Sequence, residues 1–335
     1  IIANELAKRY YQVSILSLSN GVDSFFKLNE SIGLYSLYSQ KVSMKKNFIG
    51  CCFKIRKFVQ QHKIDTLIVV DSISCIFSVP AIWGLKVKHI CWEHFNFNVN
   101  LGVKFRDIGR QLAARYCDIV VTLTKRDKEL WKAGLKKINA KIVDIANPTP
   151  YENIDNIPSL EYKNILAMGR LTFQKGFDLL IQAWAEIYKY NKDWTLTIVG
   201  SGEDENKLKK LSLDLGVNEG VKFICATKNV EQYFKAASFF CLSSRFEGFG
   251  MVLVEAQSFS LPIVSFNCDA GPSDIIDNDE NGYLVETGNI KMLHNKLLKL
   301  MNLDSSQYIL MSEKSKIKSE KFFILNIGNK WVEIL

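Results

Sequence analysis

The chain has 335 residues, of which 47% are hydrophobic and 23% are charged, and its formal net charge is +8. This length predicts two domains at the usual size of roughly 100–200 residues each, and the composition excludes a disordered chain. The most apolar stretch, residues 66–85, is interrupted by Asp71 and Pro80. It therefore predicts a strand, a turn and a buried helix rather than a membrane span.

Charge is unevenly distributed along the chain. Residues 1–147 carry 23 basic and 11 acidic side chains, a net +12, whereas residues 148–335 carry 20 and 24, a net −4. A basic half of this kind predicts contact with an anionic surface, and a solvated basic face is the simpler alternative. We expect no nucleic-acid partner, because no recognised motif or surface aromatic pattern accompanies the charge.

The cysteines and histidines predict a reduced, metal-free protein. Eight cysteines stand at positions 51, 52, 75, 91, 117, 225, 241 and 268, and none forms a C-x-x-C pair. Most lie in apolar, strand-like runs, which is typical of reduced core residues in a cytoplasmic protein. The four histidines show no paired ligand spacing, so we expect no zinc site.

The first third of the chain predicts a helix over 1–10, a strand over 12–18 and a basic amphipathic helix within 42–63. The last of these is either a helix that lies on anionic lipid or an ordinary outer helix of a sheet. Its basic residues are Lys45, Lys46, Lys54, Arg56, Lys57 and Lys63, and a second basic cluster comprises Lys104, Arg106, Arg110 and Arg115.

Strands are then predicted over 66–71, 87–92, 116–124 and 141–145. The second of these strands runs into Glu93 and His94. Because active-site loops gather at the carboxyl ends of parallel strands, His94 is either a functional histidine or a hydrogen-bonded structural one.

The second half restarts after two prolines, Pro148 and Pro150, which predict a domain boundary. A strand over 164–168 leads into a loop with Arg170 and Lys175, and a helix follows over 178–190. A guanidinium fork, a mobile ammonium and a helix N-terminus together predict a diphosphate site, although two solvated cations beside a turn are the alternative. The loop has neither a Walker pattern nor G-x-G-x-x-G, so neither ATP nor NAD is favoured.

The most informative stretch is residues 243–256, in which Glu247 and Glu255 stand eight positions apart. A Gly-Phe-Gly turn follows the first carboxylate, between an expected strand over 237–242 and a helix that begins near Met251. Free backbone N–H groups at such a helix start bind anions. The spacing predicts that the two carboxylates bind separate parts of one extended ligand. The alternative is that both carboxylates are solvated beside a structural turn.

Glu247 and Glu255 also form the E-x7-E pattern of retaining glycosyltransferases with the GT-B fold, and SRFEGFGMVLVEAQSFSLPIVSF resembles family 4. The blocks Met168–Leu171 and Lys175–Asp178 agree with this resemblance, which runs from about residue 3 to about residue 335. It implies an α/β protein with two Rossmann-like, doubly wound domains that face each other across a cleft. In such enzymes the first domain begins with a strand and a Gly-rich loop, so we expect the first strand to be missing here.

The implied domain order is an acceptor-side domain, a linker, a nucleotide-sugar-binding domain and a C-terminal helix that packs back on the first domain. Their expected bounds are 1–147, 148–162, 163–315 and 316–335.

The resemblance further implies transfer of a hexose or N-acetylhexosamine from a UDP-sugar, with retention and without a metal. The implied acceptor is a glycan or a polyprenyl-linked glycan in surface-polysaccharide synthesis, on the cytoplasmic side and peripheral to an anionic membrane. The alternative is an inactive GT-B protein that binds nucleotide-sugar or glycan as an assembly partner. We interpret Asp277-Asn278-Asp279 as a turn rather than a D-x-D metal motif.

The resemblance also assigns a role to each candidate site residue. His94 and Glu247 are expected to be catalytic, and Glu255 to bind the ribose. The diphosphate is assigned to Arg170, Lys175, Gly248, Phe249 and Gly250, and the nucleotide pocket to Gly200, Gly202 and Ile224.

Overall fold

The computed structural model describes residues 1–19, 24, 27–43 and 46–335, so Lys45 of the predicted basic helix lies outside the described residues. These residues form two compact units: Ile1–Pro148 with Ile324–Leu335, and Thr149–Phe323. The expected linker residues after Pro148 belong to the second unit, because Thr149 donates its N–H to the Phe322 carbonyl and its hydroxyl bonds to Ser258. The chain returns to the first unit at Ile324 rather than at 316, since residues up to Glu320 continue a helix of the second unit.

The first unit alternates strands and helices. Its elements are α1 (Ile2–Lys8), β1 (Ser14–Ser19), β2 (Gly33–Tyr38), α2 (Phe48–Gln61), β3 (Thr66–Val70), α3 (Cys75–Ile82), β4 (Lys88–Trp92), α4 (Phe105–Tyr116), β5 (Ile119–Thr122), α5 (Lys125–Gly134), β6 (Lys141–Asp144) and α13 (Ile324–Val332). Strand β2 was not anticipated, and α2 begins six residues later than the pattern from 42 suggested.

All strand pairs of the first unit are parallel. Strands β1 and β2 form one pair, and β3-β4-β5-β6 form a sheet in chain order. Parallel neighbours need crossover connections, and α3, α4 and α5 supply them. Strand β5 is buried along its whole length, as expected for a sheet that is covered on both faces.

Helix α13 completes the core of the first unit. Its Trp331 is fully buried, and the indole lies edge-on to that of Trp92 with ring centroids 4.8 Å apart. Ile327 of the same helix packs with Ile2 and Leu6 of α1. Burial of a side chain of this size makes α13 part of the fold of this unit, although it is last in the sequence.

The second unit contains β7 (Asn164–Met168), α6 (Phe177–Tyr188), β8 (Thr195–Val199), α7 (Glu205–Asp214), β9 (Val221–Ile224), α8 (Glu231–Lys235), β10 (Phe239–Leu242), α9 (Met251–Ser258), β11 (Ile263–Phe266), α10 (Pro272–Ile275), β12 (Gly282–Val285), α11 (Ile290–Met301) and α12 (Ser305–Glu320). Of these, α11 and α12 were not anticipated from the sequence.

The six strands of the second unit are parallel in the order β12-β11-β10-β7-β8-β9. The winding reverses between β7 and β10, and doubly wound sheets bind their ligands outside the strand ends at this reversal. The segments that leave these two strands are residues 169–176 and residues 243–250, hereafter the 169–176 loop and the 243–250 loop. Both had been singled out in the sequence.

Within the described ranges, which omit residues 20–23, 25–26 and 44–45, no helix is long and apolar enough to cross a membrane. Two basic side chains of α2 form hydrogen bonds within the first unit. Lys54 donates to the Leu37 carbonyl, and Arg56 donates to the Ala81 and Trp83 carbonyls.

Candidate active site

Lys175 and Glu247 form an ion pair between the two loops at the sheet reversal. The Lys175 Nζ lies 2.6 Å from Glu247 Oε1, and the Ser244 hydroxyl donates to the same oxygen at 2.6 Å. The Glu247 residue is only 6% exposed. Buried charges are stable when they are paired and hydrogen-bonded, and this carboxylate is both. The sequence assigned Lys175 and Glu247 separate roles, whereas the fold places them in contact.

Arg245, which the sequence analysis missed, clamps the same two loops together. Its guanidinium donates to both carboxylate oxygens of Asp178 at 2.8 and 2.6 Å, and to the Phe173 carbonyl at 2.7 Å. It also lies over the Phe173 ring, 4.0 Å from the centroid. A two-pronged contact of this kind is the strongest that an arginine makes with a carboxylate. No local pattern predicts it, because Asp178 lies 67 residues earlier.

Gly176 sets how closely the loops approach. It caps α6 in the left-handed conformation at φ +61°, and a Cβ added there would lie 2.1 Å from the Ser243 carbonyl oxygen. The Ser243 hydroxyl in turn donates to the Lys175 carbonyl at 2.9 Å. The position therefore requires glycine both for its backbone conformation and for the space.

The 243–250 loop ends in three backbone donors. Within the part of the chain that the structure describes, the N–H groups of Gly248, Phe249 and Gly250 donate no hydrogen bond to a protein group. Gly250 caps α9 at φ +87°, and no side chain caps this helix. Free donors at a helix start, with the helix dipole behind them, form an anion site.

Arg170 lies on the 169–176 loop, and Glu255 lies on α9, the helix that follows the 243–250 loop. The Arg170 side chain is exposed and, among residues 1–19, 24, 27–43 and 46–335, makes no ion pair. Glu255 lies on α9, where burial raises the pKa of its carboxyl to about 7 and the charge of Lys175 partly opposes the rise. The 169–176 loop thus carries an exposed cation, and α9 carries a carboxyl that changes protonation near neutral pH.

The three residues expected in the nucleotide pocket join neighbouring loops. A Cβ on Gly200 would lie 1.9 Å from the Gly169 carbonyl oxygen, and one on Gly202 would lie 2.2 Å from that of Leu171. The Gly200 N–H donates to the Ile224 carbonyl at 2.8 Å. These contacts give both glycines a packing role, and contact with a nucleotide stays a prediction.

His94 belongs to the first unit and follows β4. Its backbone N–H and that of Phe95 both donate to Glu93 Oε1 at 3.0 Å, and its ring lies 4.6 Å from that of Trp92. The Nε2 atom is buried and has no partner among the described residues. Burial also lowers the pKa of His94, which favours the neutral imidazole. A neutral ring with a free nitrogen suits hydrogen bonding to a ligand.

The segment that carries His94 is held by buried charges. Glu93 is 1% exposed and Arg110 is 2% exposed, and the Glu93 Oε2 lies 3.8 Å from the Arg110 Nε. Arg110 also donates to the Asn96 carbonyl at 3.0 Å. Arg106 pairs with Asp71 at 3.0 Å. Two of the four basic residues in the second cluster, Arg106 and Arg110, therefore bind inward.

The Asp277-Asn278-Asp279 segment is a turn. Asp279 has φ +63°, and Asn278 forms a bridge with Gly282. Lys318 lies 2.6 Å from Asp277, and Lys299 lies 3.5 Å from Asp279. These carboxylates therefore pair with lysines.

Two Rossmann-like units of parallel strands, the second with the candidate site at its winding reversal, are the architecture of the GT-B class of α/β enzymes. The chain belongs to the glycosyl transferases. The family described as Glycosyl transferases group 1 matches residues 152–326, and Glycosyltransferase Family 4 matches residues 2–152. The family expected from the E-x7-E pattern is confirmed, and the protein is a glycosyltransferase.

Known proteins resemble the whole chain. An uncharacterized glycosyltransferase of Haemophilus influenzae is 40% identical over 334 residues, which span 100% of this chain and 94% of the relative. An alpha-1,4-N-acetyl-D-galactosaminyltransferase of Campylobacter jejuni, named for the substrate GalNAc-alpha-(1->4)-GalNAc-alpha-(1->3)-diNAcBac-PP-undecaprenol, is 27% identical over 100% of this chain and 92% of the relative. The crystal structure of Anabaena HepE in complex with UDP and glucose shares the fold, with a TM-score of 0.72, 16% identity and coverage of 90% and 86%.

The close approach at Gly176 leads to a stability prediction with a matched control. Gly216 has a similar φ of +68°, and nothing lies within 4 Å of its added Cβ. Gly216→Ala should lower the free energy of unfolding by about 1–2 kcal/mol, the cost of a left-handed L-residue. Gly176→Ala should cost about 1–3 kcal/mol more, because the Ser243 carbonyl must also move. Urea unfolding of both variants measures the difference, and equal losses would contradict the close contact.

The raised pKa of Glu255 gives stability a pH dependence. A carboxyl with pKa about 7 when folded and an ordinary value of 4.5 stabilises the fold below pH 4.5, and this contribution is lost as pH rises through about 7. Compared with the wild type, Glu255→Gln should therefore gain stability between pH 4.5 and 8, by on the order of 3 kcal/mol. Urea unfolding across this range tests the prediction, with the exposed Glu313→Gln as control. A difference that stays constant with pH would refute the burial of this carboxyl.

Proposed function

We propose that this glycosyltransferase moves a hexose or N-acetylhexosamine from a UDP-sugar, with retention, to a glycan or polyprenyl-linked acceptor in surface-polysaccharide synthesis. The observation that carries the proposal is the set of N–H groups of Gly248, Phe249 and Gly250, which donate to no group of the described residues and lie beside the Lys175–Glu247 pair. These donors suit phosphate oxygens, and the Lys175 ammonium supplies positive charge once it leaves Glu247.

The diphosphate is the leaving group, and negative charge grows on it as the sugar departs. Arg170, Lys175 and the three N–H groups stabilise that charge with fixed donors, so the transfer needs no metal. When the donor binds, the Lys175 Nζ exchanges the Glu247 oxygen for a phosphate oxygen. Glu247 is then free to accept hydrogen bonds from sugar hydroxyls, and Glu255 binds the ribose hydroxyls.

Retention follows if the acceptor attacks the face from which the diphosphate leaves. The acceptor oxygen bonds to the anomeric carbon, the bond from that carbon to the phosphate oxygen breaks, and the leaving phosphate takes the acceptor proton. His94 of the first unit has a neutral ring and an Nε2 without a partner among the described residues, and both suit a hydrogen bond to a sugar.

Two of the similar proteins support the proposed classes of donor and acceptor. The Campylobacter jejuni relative is named for an undecaprenol-linked glycan, which favours a polyprenyl-linked acceptor here. The HepE structure contains UDP and glucose, which favours a UDP-sugar donor at the level of the shared fold.

Calorimetric binding of UDP and of UDP-glucose, UDP-galactose and their N-acetyl forms tests the donor site. We expect one UDP-sugar to bind, and Arg170→Ala to weaken UDP binding by about 1.5–3 kcal/mol, as for a lost charged hydrogen bond. The control Lys314→Ala removes a cation from the surface of α12, where Lys314 pairs with Glu280, and should leave binding unchanged.

Failure of the folded protein to bind UDP would refute a UDP-sugar donor and redirect the panel to GDP- and ADP-sugars. Equal binding by the wild type and Arg170→Ala would instead remove Arg170 from the diphosphate site.

We also propose that the first unit is cytoplasmic and docks on an anionic membrane through α2. This helix exposes Phe48, Ile49 and Phe53, by 39%, 80% and 67% respectively. The exposed Lys46 and Lys57 belong to the same segment. Apolar side chains that insert among headgroups, beside cations that attract them, are typical of helices that lie on lipid.

Cosedimentation with vesicles tests this docking. The protein should bind phosphatidylglycerol-containing vesicles and not pure phosphatidylcholine, and Lys57→Ala should weaken binding by about 1 kcal/mol, or roughly fivefold. Ile49→Ser with Phe53→Ser should weaken it further, whereas Leu213→Ser removes an exposed apolar residue of α7 as a control. Equal binding by all variants would exclude α2 as the contact.

A further inference from the structure

The core of the first unit contains a cluster of metal-ligating side chains that the transfer reaction does not use. Cys75 begins α3, His89 lies on β4 and Cys117 directly follows α4, and they are 0%, 2% and 4% exposed. The two cysteines are 42 residues apart, and His89 is 28 residues from Cys117. The sequence analysis expected no zinc site, because it compared ligand spacings along the chain, and the fold brings distant residues together.

The distances between the ligand atoms fit one metal ion. The Cys75 and Cys117 Sγ atoms are 3.8 Å apart, and the Cys117 Sγ lies 3.4 Å from the His89 Nδ1. All three ligand atoms lie within 4.8 Å of one another. Around a tetrahedral zinc with Zn–S of about 2.3 Å and Zn–N of about 2.0–2.1 Å, the S–S edge is about 3.8 Å and the S–N edge about 3.5 Å. The two distances between the ligand atoms in the structure match these edges.

The other nitrogen of His89 is already held. Its Nε2 lies 2.9 Å from the Ser78 hydroxyl, which leaves the Nδ1 directed at the sulfur. Zinc-bound histidines usually have such an outer partner, which fixes the tautomer and the ring orientation. Cysteines that merely fill an apolar core account for Cys75 and Cys117, but they do not account for an imidazole aimed at them.

Cys91 lies next to this group but is not one of the three residues whose ligand atoms lie within 4.8 Å of one another. It stands two residues after His89, so both side chains leave β4 on the same face. It is fully buried. The surrounding wall is apolar, with Val69, Val79, Ala113 and Val120 among its members.

We propose that Cys75, His89 and Cys117 bind a zinc ion. The three ligands are buried in the core of the first unit, so the bound ion would stabilise the fold of this unit. The ion would tie α3 and the end of α4 to β4, the strand that leads into His94. Because the ligands are buried, the metal enters as the unit folds.

Metal analysis and X-ray absorption of the full chain test the proposal. Protein produced with added zinc and purified under reducing conditions should hold about one zinc per chain, with sulfur ligands at about 2.3 Å and nitrogen at about 2.0–2.1 Å. Replacement by cobalt should give thiolate-to-metal charge-transfer absorption. A folded protein without zinc, a metal with only oxygen and nitrogen ligands, or a Cys75–Cys117 disulfide in this material would overturn the proposal.

Two variants distinguish loss of zinc binding from a general effect of substituting a buried residue. Ser78→Ala keeps every ligand and removes the outer partner of His89, so zinc affinity in a chelator competition should fall about 10–100-fold. Cys241→Ala removes a buried cysteine of the second unit and should leave zinc affinity unchanged. Unchanged affinity in Ser78→Ala, with circular dichroism showing both variants folded, would overturn the assignment of His89 as a ligand.

Discussion

The ion pair between Lys175 and Glu247 is the contact on which the candidate donor site depends. Strands β7 and β10 are neighbours in the sheet, yet they are separated by more than 70 residues of chain. Their loops meet because Lys175 reaches the Glu247 carboxylate, Arg245 reaches Asp178, and Gly176 allows the backbones to touch. Among the described residues, the N–H groups of Gly248–Gly250 donate to no protein group, so the contacts that pack the two loops also leave the proposed anion site open.

In the first unit, too, a buried ion pair holds a segment that carries a candidate site residue. Glu93 is buried beside Arg110. Its carboxylate accepts hydrogen bonds from the backbone N–H groups of His94 and Phe95, which fixes the backbone at His94. An unpaired charge in this position would strongly destabilise the unit, whereas the pair with further hydrogen bonds is tolerated. In both units, therefore, the residues expected to meet the substrate stand on segments that buried charges hold in place.

The sequence predicted more of the second unit than of the first. Strand β7 has the predicted bounds, and the two loops at the winding reversal follow from strand, Gly-rich turn and helix patterns. What it did not predict are contacts between distant positions: Lys175 with Glu247, Arg245 with Asp178, and Cys75 with Cys117. The burial of Arg110 beside Glu93 was not predicted either, because local polarity does not show which charges find a buried partner. Strand β2 was missed, since its half-buried residues alternate only weakly.

A crystal of this chain grown with UDP would show where the diphosphate binds. If the 243–250 loop is the diphosphate site, phosphate oxygens should lie at about 2.7–3.2 Å from its N–H groups and from the Lys175 Nζ. The Lys175–Glu247 contact should then be broken. A diphosphate bound elsewhere, with those N–H groups unused and the ion pair intact, would refute the proposed donor site.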